Sequence, residues 1–439
     1  MREKEIIKGF SKLDKEDKIK KVASFFHDSE RVEKELKSFW HPEIETQKLF
    51  DEFAENTISN FYFPYGMAPN VIINGKNYMI PMVIEESSVV AAASNSAKFW
   101  STRGGFHTKI IGLTKIGQVH FTWAGAPEKL KQHFPQLRKL FFNGTEYITK
   151  NMRQRGGGIL DIELVDMRHE IADYYQIKAQ FNTIDSMGAN FINSCLEEFA
   201  DILKNYVIDN EELKAFPAQV IMSILSNYTP DCLVEAWVEC NVDELEGVDP
   251  DISAQEFAWK FEKAVQVATV DTFRATTHNK GIFNGIDAVV LATGNDFRAV
   301  EACGHTYAAR DGKYRSLTFI ELKDGRFKYT LRVPLSLGTV GGLTKLHPLA
   351  RFTMELLGDP HAEDLMQIAA VAGLANNFGA LRSLTTKGIQ KGHMKMHLLN
   401  ILNNFGVTET EKHAAIEYFK TRKVLFNAVE EFVKDVRKK

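Results

Sequence analysis

The stretch from Thr277 to Asp296 constrains the fold more than any other. Thr277-His278-Asn279-Lys280-Gly281-Ile282 leads into Asn284-Gly285-Ile286-Asp287. The apolar run Ala288-Val289-Val290-Leu291-Ala292 follows, and Gly294-Asn295-Asp296 closes it. The run is short, β-branched and bounded by glycines, so it reads as a buried strand or as a buried helix segment. As a strand it sets Lys280 in the turn before and Asp296 in the turn after, with a spacing of 296 − 280 = 16 residues. Lysine and aspartate are rarely buried without a partner. One reading is a structural salt bridge between loops. The other is a lysine held cationic in a cleft, where it stabilises an oxyanion.

The chain's 439 residues suffice for two or three domains around a large core. A net charge of −3 offers no footprint for nucleic acid or an anionic membrane. Met1 to Lys21 is crowded with charge and lacks the apolar region of a signal peptide. No apolar run reaches the ~18–20 residues that span a bilayer. Cysteines 195, 232, 240 and 303 include no Cys-x-x-Cys pair, and their spacings suit neither zinc nor a disulfide framework. A reduced, cytoplasmic protein is the expectation. Cys303 stands between Ala302 and Gly304, a setting for packing rather than nucleophilic chemistry.

Lys15 to Phe26 carries apolar residues at helical spacing behind Asp14, a candidate N-cap. Asn70 to Pro81 reads as a hairpin turning at Asn74-Gly75, and Ser87 to Phe99 as a helix. Lys109 to Trp123 is a two-strand pattern. A helix over Pro127 to Arg153, strands at Leu160–Asp166 and Tyr174–Thr183, and a helix over Met187–Tyr206 follow. This alternation suggests a compact α/β insert with a small, partly antiparallel sheet. Further on, Ala254 to Arg274 reads as one long helix, Arg315 to Val333 as a hairpin around Asp324-Gly325, and Glu363 to Leu384 as an alanine-rich helix. The tail opens with the capping box Thr408-x-x-Glu411 and runs as amphipathic helix through Phe419, Phe426 and Phe432.

Three more segments complete the pattern: Glu85-Glu86-Ser87-Ser88, Asp185-Ser186-Met187-Gly188-Ala189-Asn190 and Lys387-Gly388-Ile389-Gln390-Lys391-Gly392-His393-Met394. With Lys280 and Asp296 in that order and spacing, the chain resembles the class II 3-hydroxy-3-methylglutaryl-coenzyme A reductases, from Glu55-Asn56 to its C-terminus. The resemblance implies an α+β fold. A mostly helical large substrate domain (1–109 and 227–386) is interrupted by a small ferredoxin-like α/β nucleotide-binding domain (110–226). A mobile helical C-terminal flap (387–439) follows. It also implies a homodimer, or a higher oligomer of dimers, with active sites shared between subunits.

The implied reaction interconverts hydroxymethylglutaryl-coenzyme A and mevalonate plus coenzyme A. Two hydride transfers pass through a mevaldyl-coenzyme A hemithioacetal. Such chemistry wants a fixed cation, a proton donor at the carbonyl and another at the sulfur. Lys280, Glu86 and His393 match the family's residues for these tasks, and Asp296 the carboxylate that tunes the lysine and glutamate. Burial beside Asp296 would raise the Glu86 pKa. His393 has His397 four residues on, but without a third ligand that spacing is a weak metal signal, so no metal is expected. Substrate contacts carried over by position are Ser88, Arg274, Asn284 and Asn377. The family's Glu-Glu-Pro-Ser is Glu-Glu-Ser-Ser here, and its glutamine at 376 is asparagine.

No Gly-x-Gly-x-x-Gly occurs. The nucleotide is instead expected at Asp185, Met187, Gly188 and Asn190, where a glycine lets a phosphate approach a helix start. Asn227 matches a position that contacts the nicotinamide. NAD-preferring relatives carry an aspartate 12 residues before the acid aligned with Asp161, and 161 − 12 = 149 is threonine here. Lys150, Arg153 and Arg155 follow and could face a 2′-phosphate, so NADPH is expected, with NADH the alternative. Competing readings are a related acyl-coenzyme A reductase of different acyl specificity and an inactive coenzyme A-binding scaffold.

Overall fold

The computed structural model describes residues 6–386, 388, 398–399, 401–420 and 422–438. The chain divides into two compact units, Met1–Pro64 and Tyr65–Lys439. In the first unit lie α1 (Lys15–Ala23), α2 (Ser29–Ser38) and α3 (Ile44–Asp51). Asp14 accepts a hydrogen bond from the Asp17 N–H at 2.8 Å, so the expected N-cap is in place. Lys15 Nζ reaches Asp51 at 2.7 Å and ties α1 to α3.

The second unit opens with a hairpin of β1 (Tyr65–Ile73) and β2 (Lys76–Val83), which turns at Asn74-Gly75 with both φ angles positive. Then come α4 (Ser87–Ser101), β3 (His107–Ile110), β4 (Lys115–Thr122), α5 (Pro127–Gly144), α6 (Glu146–Gln154), β5 (Gly158–Asp166), β6 (Tyr174–Asn182), α7 (Ala189–Asp209), β7 (Gln219–Leu225) and β8 (Leu233–Asn241). The remainder is α8 (Ala254–Val270), α9 (Thr272–Ala292), α10 (Phe297–Ala308), β9 (Thr318–Lys323), β10 (Arg326–Pro334), α11 (Leu343–Leu346), α12 (Pro348–Leu357), α13 (Ala362–Thr385), α14 (Glu409–Tyr418) and α15 (Phe426–Lys438).

Two four-stranded antiparallel sheets organise this unit, in the orders β3-β8-β10-β9 and β5-β6-β4-β7. The two-strand pattern read at 109–123 is therefore split. β3 pairs with β8 and β4 with β6 and β7, so the chain changes sheets at 111–114. From β4 to β7 the path is β-α-β-β-α-β with its first helical crossover divided into α5 and α6, and it has its own core of Val119, Phe121, Ile177, Phe199 and their neighbours. The other sheet and the hairpin share a larger core with α4, α8, α9 and α13. There Phe261 meets Phe327, Tyr329 and Phe378 ring to ring, at centroid distances of 4.9–5.5 Å. This part is thus less purely helical than expected, because β8, β9 and β10 supply a face against which the helices pack. A third, small core joins α14 and α15.

Four readings of individual segments need correction. The run 288–292 is no strand: Thr272–Ala292 is one helix. Of the glycines read as turn punctuation, Gly294 does take positive φ after the helix, but Gly285 serves close helix packing instead. A Cβ on Gly285 would lie 2.2 Å from the Ala372 carbonyl oxygen of α13, and one on Gly373 would lie 2.7 Å from Ile286 Cγ1. The helix read over 254–274 stops at Val270, because Asp271 takes extended backbone and accepts the N–H groups of Phe273 and Arg274 as the N-cap of α9. The helix read over 127–153 is likewise two, parted at Thr145, and the tail is two helices, α14 and α15.

Candidate active site

Glu86 is the N-cap of α4 and leaves the first N–H groups uncapped by its side chain. Its carboxylate instead accepts a hydrogen bond from Ser88 Oγ and lies 3.7 Å from Lys280 Nζ. The lysine side chain is 65% exposed and the glutamate 46%. Asn284 follows Lys280 by four residues on α9 and so shares its face. Arg274, in the first turn of α9, is half-buried, and burial lowers its pKa. It forms no ion pair with any carboxylate among the described residues. Behind this face His278 is buried with Nε2 2.6 Å from Thr318 Oγ1, and burial, then Arg274, pushes it down to about 3. It is a neutral packing residue. Asn377 is buried too. Its Nδ2 donates to the His278 carbonyl at 2.7 Å and its Oδ1 accepts from Tyr329 Oη, so the amide braces α9 from below. Asn376 lies buried one position earlier on α13.

Asp296 is elsewhere. It caps α10, accepting the Arg298 and Ala299 N–H groups at 3.1 and 3.2 Å, and pairs with Arg298 through Nε and Nη2, both at 2.9 Å. The Arg298 side chain holds its carboxyl below the usual range. The Asn295 N–H donates to the Val290 carbonyl at 2.9 Å, which pins the turn before Asp296 to the end of α9. From Lys280 to Val290 is 10 residues, or about 15 Å of helix axis. Within one chain, Glu86 and Lys280 meet and Asp296 does not join them. Glu86 is accordingly half-open to solvent and away from Asp296, contrary to the expected burial beside that residue. His393 lies outside the described residues.

A second locus surrounds the turn before α7. Gly188 is the N-cap of α7 in the left-handed region, φ 90°, with no side chain capping the helix and no acid in its first turn, which contains Asn190. A Cβ there would meet Thr183 Cγ2 at 2.4 Å, so only glycine fits. Asp185 faces away from the helix start, accepting the Ala362 N–H at 2.9 Å and lying 3.0 Å from His361 Nδ1. Met187 and Asn227 line a small cleft together with Lys115, Thr229, Ala299 and Val300. The last two belong to α10, so the cleft adjoins the helix that Asp296 caps. On α6, Lys150 is exposed and Arg153 pairs with Glu146 at 2.8 Å. Thr149 is buried, its hydroxyl bonded to the Thr145 carbonyl, so the position reached by counting back from Asp161 does not face a nucleotide. All four cysteines are buried and free.

Two residues were missed. Arg298 lies two positions past Asp296, a spacing that suits a carboxylate fork on a helix N-cap. Lys115 falls in phase with Gly117, Val119 and Phe121 on an alternating strand, a lysine on the inward face. That parity was readable.

The hydroxymethylglutaryl-coenzyme A reductase family model matches residues 16–398. The chain belongs to this family. It is 37% identical over 412 residues to the 3-hydroxy-3-methylglutaryl-coenzyme A reductase of Archaeoglobus fulgidus, covering 94% of this chain and 90% of that protein. It is 29% identical over 418 residues to the probable reductase of Borreliella burgdorferi, covering 93% and 90%. A class II reductase from Streptococcus pneumoniae, solved bound to NADPH in open conformations, superposes with a TM-score of 0.70 at 33% identity, covering 93% of this chain and 99% of that one. The protein is therefore an NAD(P)-dependent oxidoreductase of the mevalonate pathway with the class II reductase fold, about half helical with several antiparallel sheets. No helix among the described residues is long and apolar enough to cross a membrane.

Proposed function

We propose that this reductase works with NADPH at a site shared between two copies of the chain. One copy supplies Glu86, Ser88, Lys280, Arg274 and Asn284. The other supplies Asp296 and the nucleotide cleft of Met187, Gly188 and Asn227. The observation that carries this reading is the pairing of Lys280 with Glu86 while Asp296 stays with the nucleotide cleft on α10. An exposed apolar row along α11 and α12 (Leu343, Leu346, Leu349, Phe352 and Leu356) suits the contact between copies.

Two NADPH molecules, bound in succession, would supply one hydride each, the first to the thioester carbon and the second to the aldehyde formed from it. The remaining work belongs to the protein. The Lys280 ammonium stabilises the hemithioacetal oxyanion left by the first hydride. Glu86, oriented by Ser88, protonates the oxygen of the reduced aldehyde. His393 gives its proton to the coenzyme A thiolate as the carbon–sulfur bond breaks. The unpaired guanidinium of Arg274 takes the carboxylate of the acyl group. The β4–β7 insert, ferredoxin-like in strand order and with its own core, is the nucleotide domain over 110–226. The large domain is 1–109 with 227–386, and 387–439 is a flap. The preference for NADPH over NADH rests on the exposed cations of α6, Lys150 and Arg153.

Purified protein with NADPH and the thioester should consume two nucleotides per free thiol released. Lys280→Ala should lower kcat by roughly 10²–10³ without loss of fold. Thiol release by the variant within about fivefold of the parent would refute the assignment.

A further inference from the structure

The first residue of β4 places a lysine in an interior that offers it no carboxylate. Lys115 is 4% exposed. Its Nζ donates to Thr183 Oγ1 at 2.6 Å and to the Ser186 carbonyl at 2.7 Å. Thr183 Oγ1 donates to that same carbonyl at 2.6 Å, so three groups close a ring around the base of the Thr183–Gly188 turn. An ammonium has three donors. Two are used, and no third partner stands among the described residues. Among those residues the one carboxylate that acts on it is Asp185, whose oxygens are already engaged by the Ala362 N–H and His361. A buried cation without a paired anion is costly. Burial accordingly draws its pKa down from the ordinary lysine value.

Lys115 also lines the cleft beside Met187, Ser226 and Asn227, at the uncapped N-terminus of the 21-residue helix α7. The helix start and the ammonium are both positive, and no acid in the first turn of α7 offsets them. Among the described residues both charges lack a counter-ion at the same place.

We propose that Lys115 is a positioning residue for the dinucleotide: it fixes the Thr183–Gly188 turn from below and contributes the buried positive charge that the dinucleotide's diphosphate neutralises on binding. This rests on the reading of the Gly188 turn as the nucleotide site. A ligand of this class restores the missing charge pairing and uses the free helix N–H groups at once. Lys115 touches none of the reacting atoms. It acts on nucleotide affinity, not on the chemical step.

The test is NADPH titration by nucleotide fluorescence at several salt concentrations, on the full-length protein and its variants. Lys115→Met should raise the NADPH Kd at least tenfold and flatten its salt dependence, while coenzyme A binding stays within about twofold. The kcat at saturating NADPH should fall far less than kcat/KM. Lys115→Arg, which keeps the charge, should recover most of the affinity. Should the Met variant fail to fold, Lys115→Gln is read by the same criteria. Gly188→Val is the control for the site itself. Loss of NADPH binding by Gly188→Val with an unchanged Kd in Lys115→Met overturns the role of Lys115 alone. A Gly188→Val protein that binds NADPH like the parent overturns the nucleotide-site reading, and the Lys115 inference falls with it.

Discussion

Two dead variants should make a live enzyme. Lys280 and Asp296 are separated by at least 10 residues of α9, about 15 Å of axis, before the turn that carries the aspartate begins. A lysine side chain extends about 6 Å and an aspartate about half that. They cannot meet within one chain. On the proposed shared site, a two-fold dimer would take Lys280 from one copy and Asp296 from the other. Lys280→Ala is chosen because the residue is exposed on a helix, where alanine is the best helix former. Asp296→Asn is chosen because asparagine also caps helices, so α10 keeps its start. Each alone should lose at least ~10²-fold in kcat. Co-expressed with two different tags, half of the dimers are mixed, and each mixed dimer has one intact site and one doubly damaged site. Activity should return to about a quarter of the parental value per subunit. The assay is thioester-dependent NADPH oxidation, and the doubly tagged fraction alone should reach about half. A mixture no more active than the single variants would refute the shared site.

Other expectations follow from the packing and the charges. Gly285→Ala pushes a methyl into the Ala372 carbonyl and should cost about 2–3 kcal/mol, read as a lowered urea midpoint with unchanged slope. Burial first, and then Glu301, raises the Asp287 pKa above the ordinary aspartate value of 3.8. An acid raised this way contributes stability that is complete below its unfolded value and is lost as pH climbs towards its folded value, at up to ~1.4 kcal/mol per pH unit. Asp287→Asn should flatten that slope in pH-dependent denaturation, and a slope equal to the parent's would count against it. Arg298→Ala removes the main cause of the depressed Asp296 pKa, so the acid limb of kcat/KM should move to higher pH; an unmoved limb would mean that ionised Asp296 is not required. The kcat/KM ratio should favour NADPH, and tenfold or more in favour of NADH, about 1.4 kcal/mol, would reverse that reading.

Much of the fold was legible because local signals agreed with the tertiary structure. Asn74-Gly75 and Asp324-Gly325 gave hairpins where both turns occur. Asp14 and Thr408 capped the helices that they announce. The misreading of 277–296 has one cause, since glycine has two uses and sequence does not say which applies. Gly281, Gly285 and Gly294 resemble turn punctuation, yet Gly285 allows α9 to touch α13 and Gly294 alone of the three takes positive φ. That single ambiguity moved Asp296 from beside Lys280 to the far end of a helix. Glu86 and Lys280 were legible as separate candidates through their motifs, and the structure places them together, the N-cap of α4 against α9. Lys115 is legible by strand parity, in phase with the inward positions of β4.

The exposure of the Glu86–Lys280 pair argues for the same architecture by another route. An ion pair this open to water contributes about 0–1 kcal/mol and is screened by salt. Oxyanion stabilisation of the size that a thioester reduction needs requires a site from which water is excluded. Nothing on α4 or α9 in the same chain covers the pair. The elements that carry the missing carboxylate and the cleft expected for the nucleotide, α10 and the Gly188 turn, stand together elsewhere. Bringing that second locus over the first would supply cover, carboxylate and hydride donor in one step. The lysine would then pass from a weak surface pair to a desolvated cation, and only the assembled enzyme would hold it there.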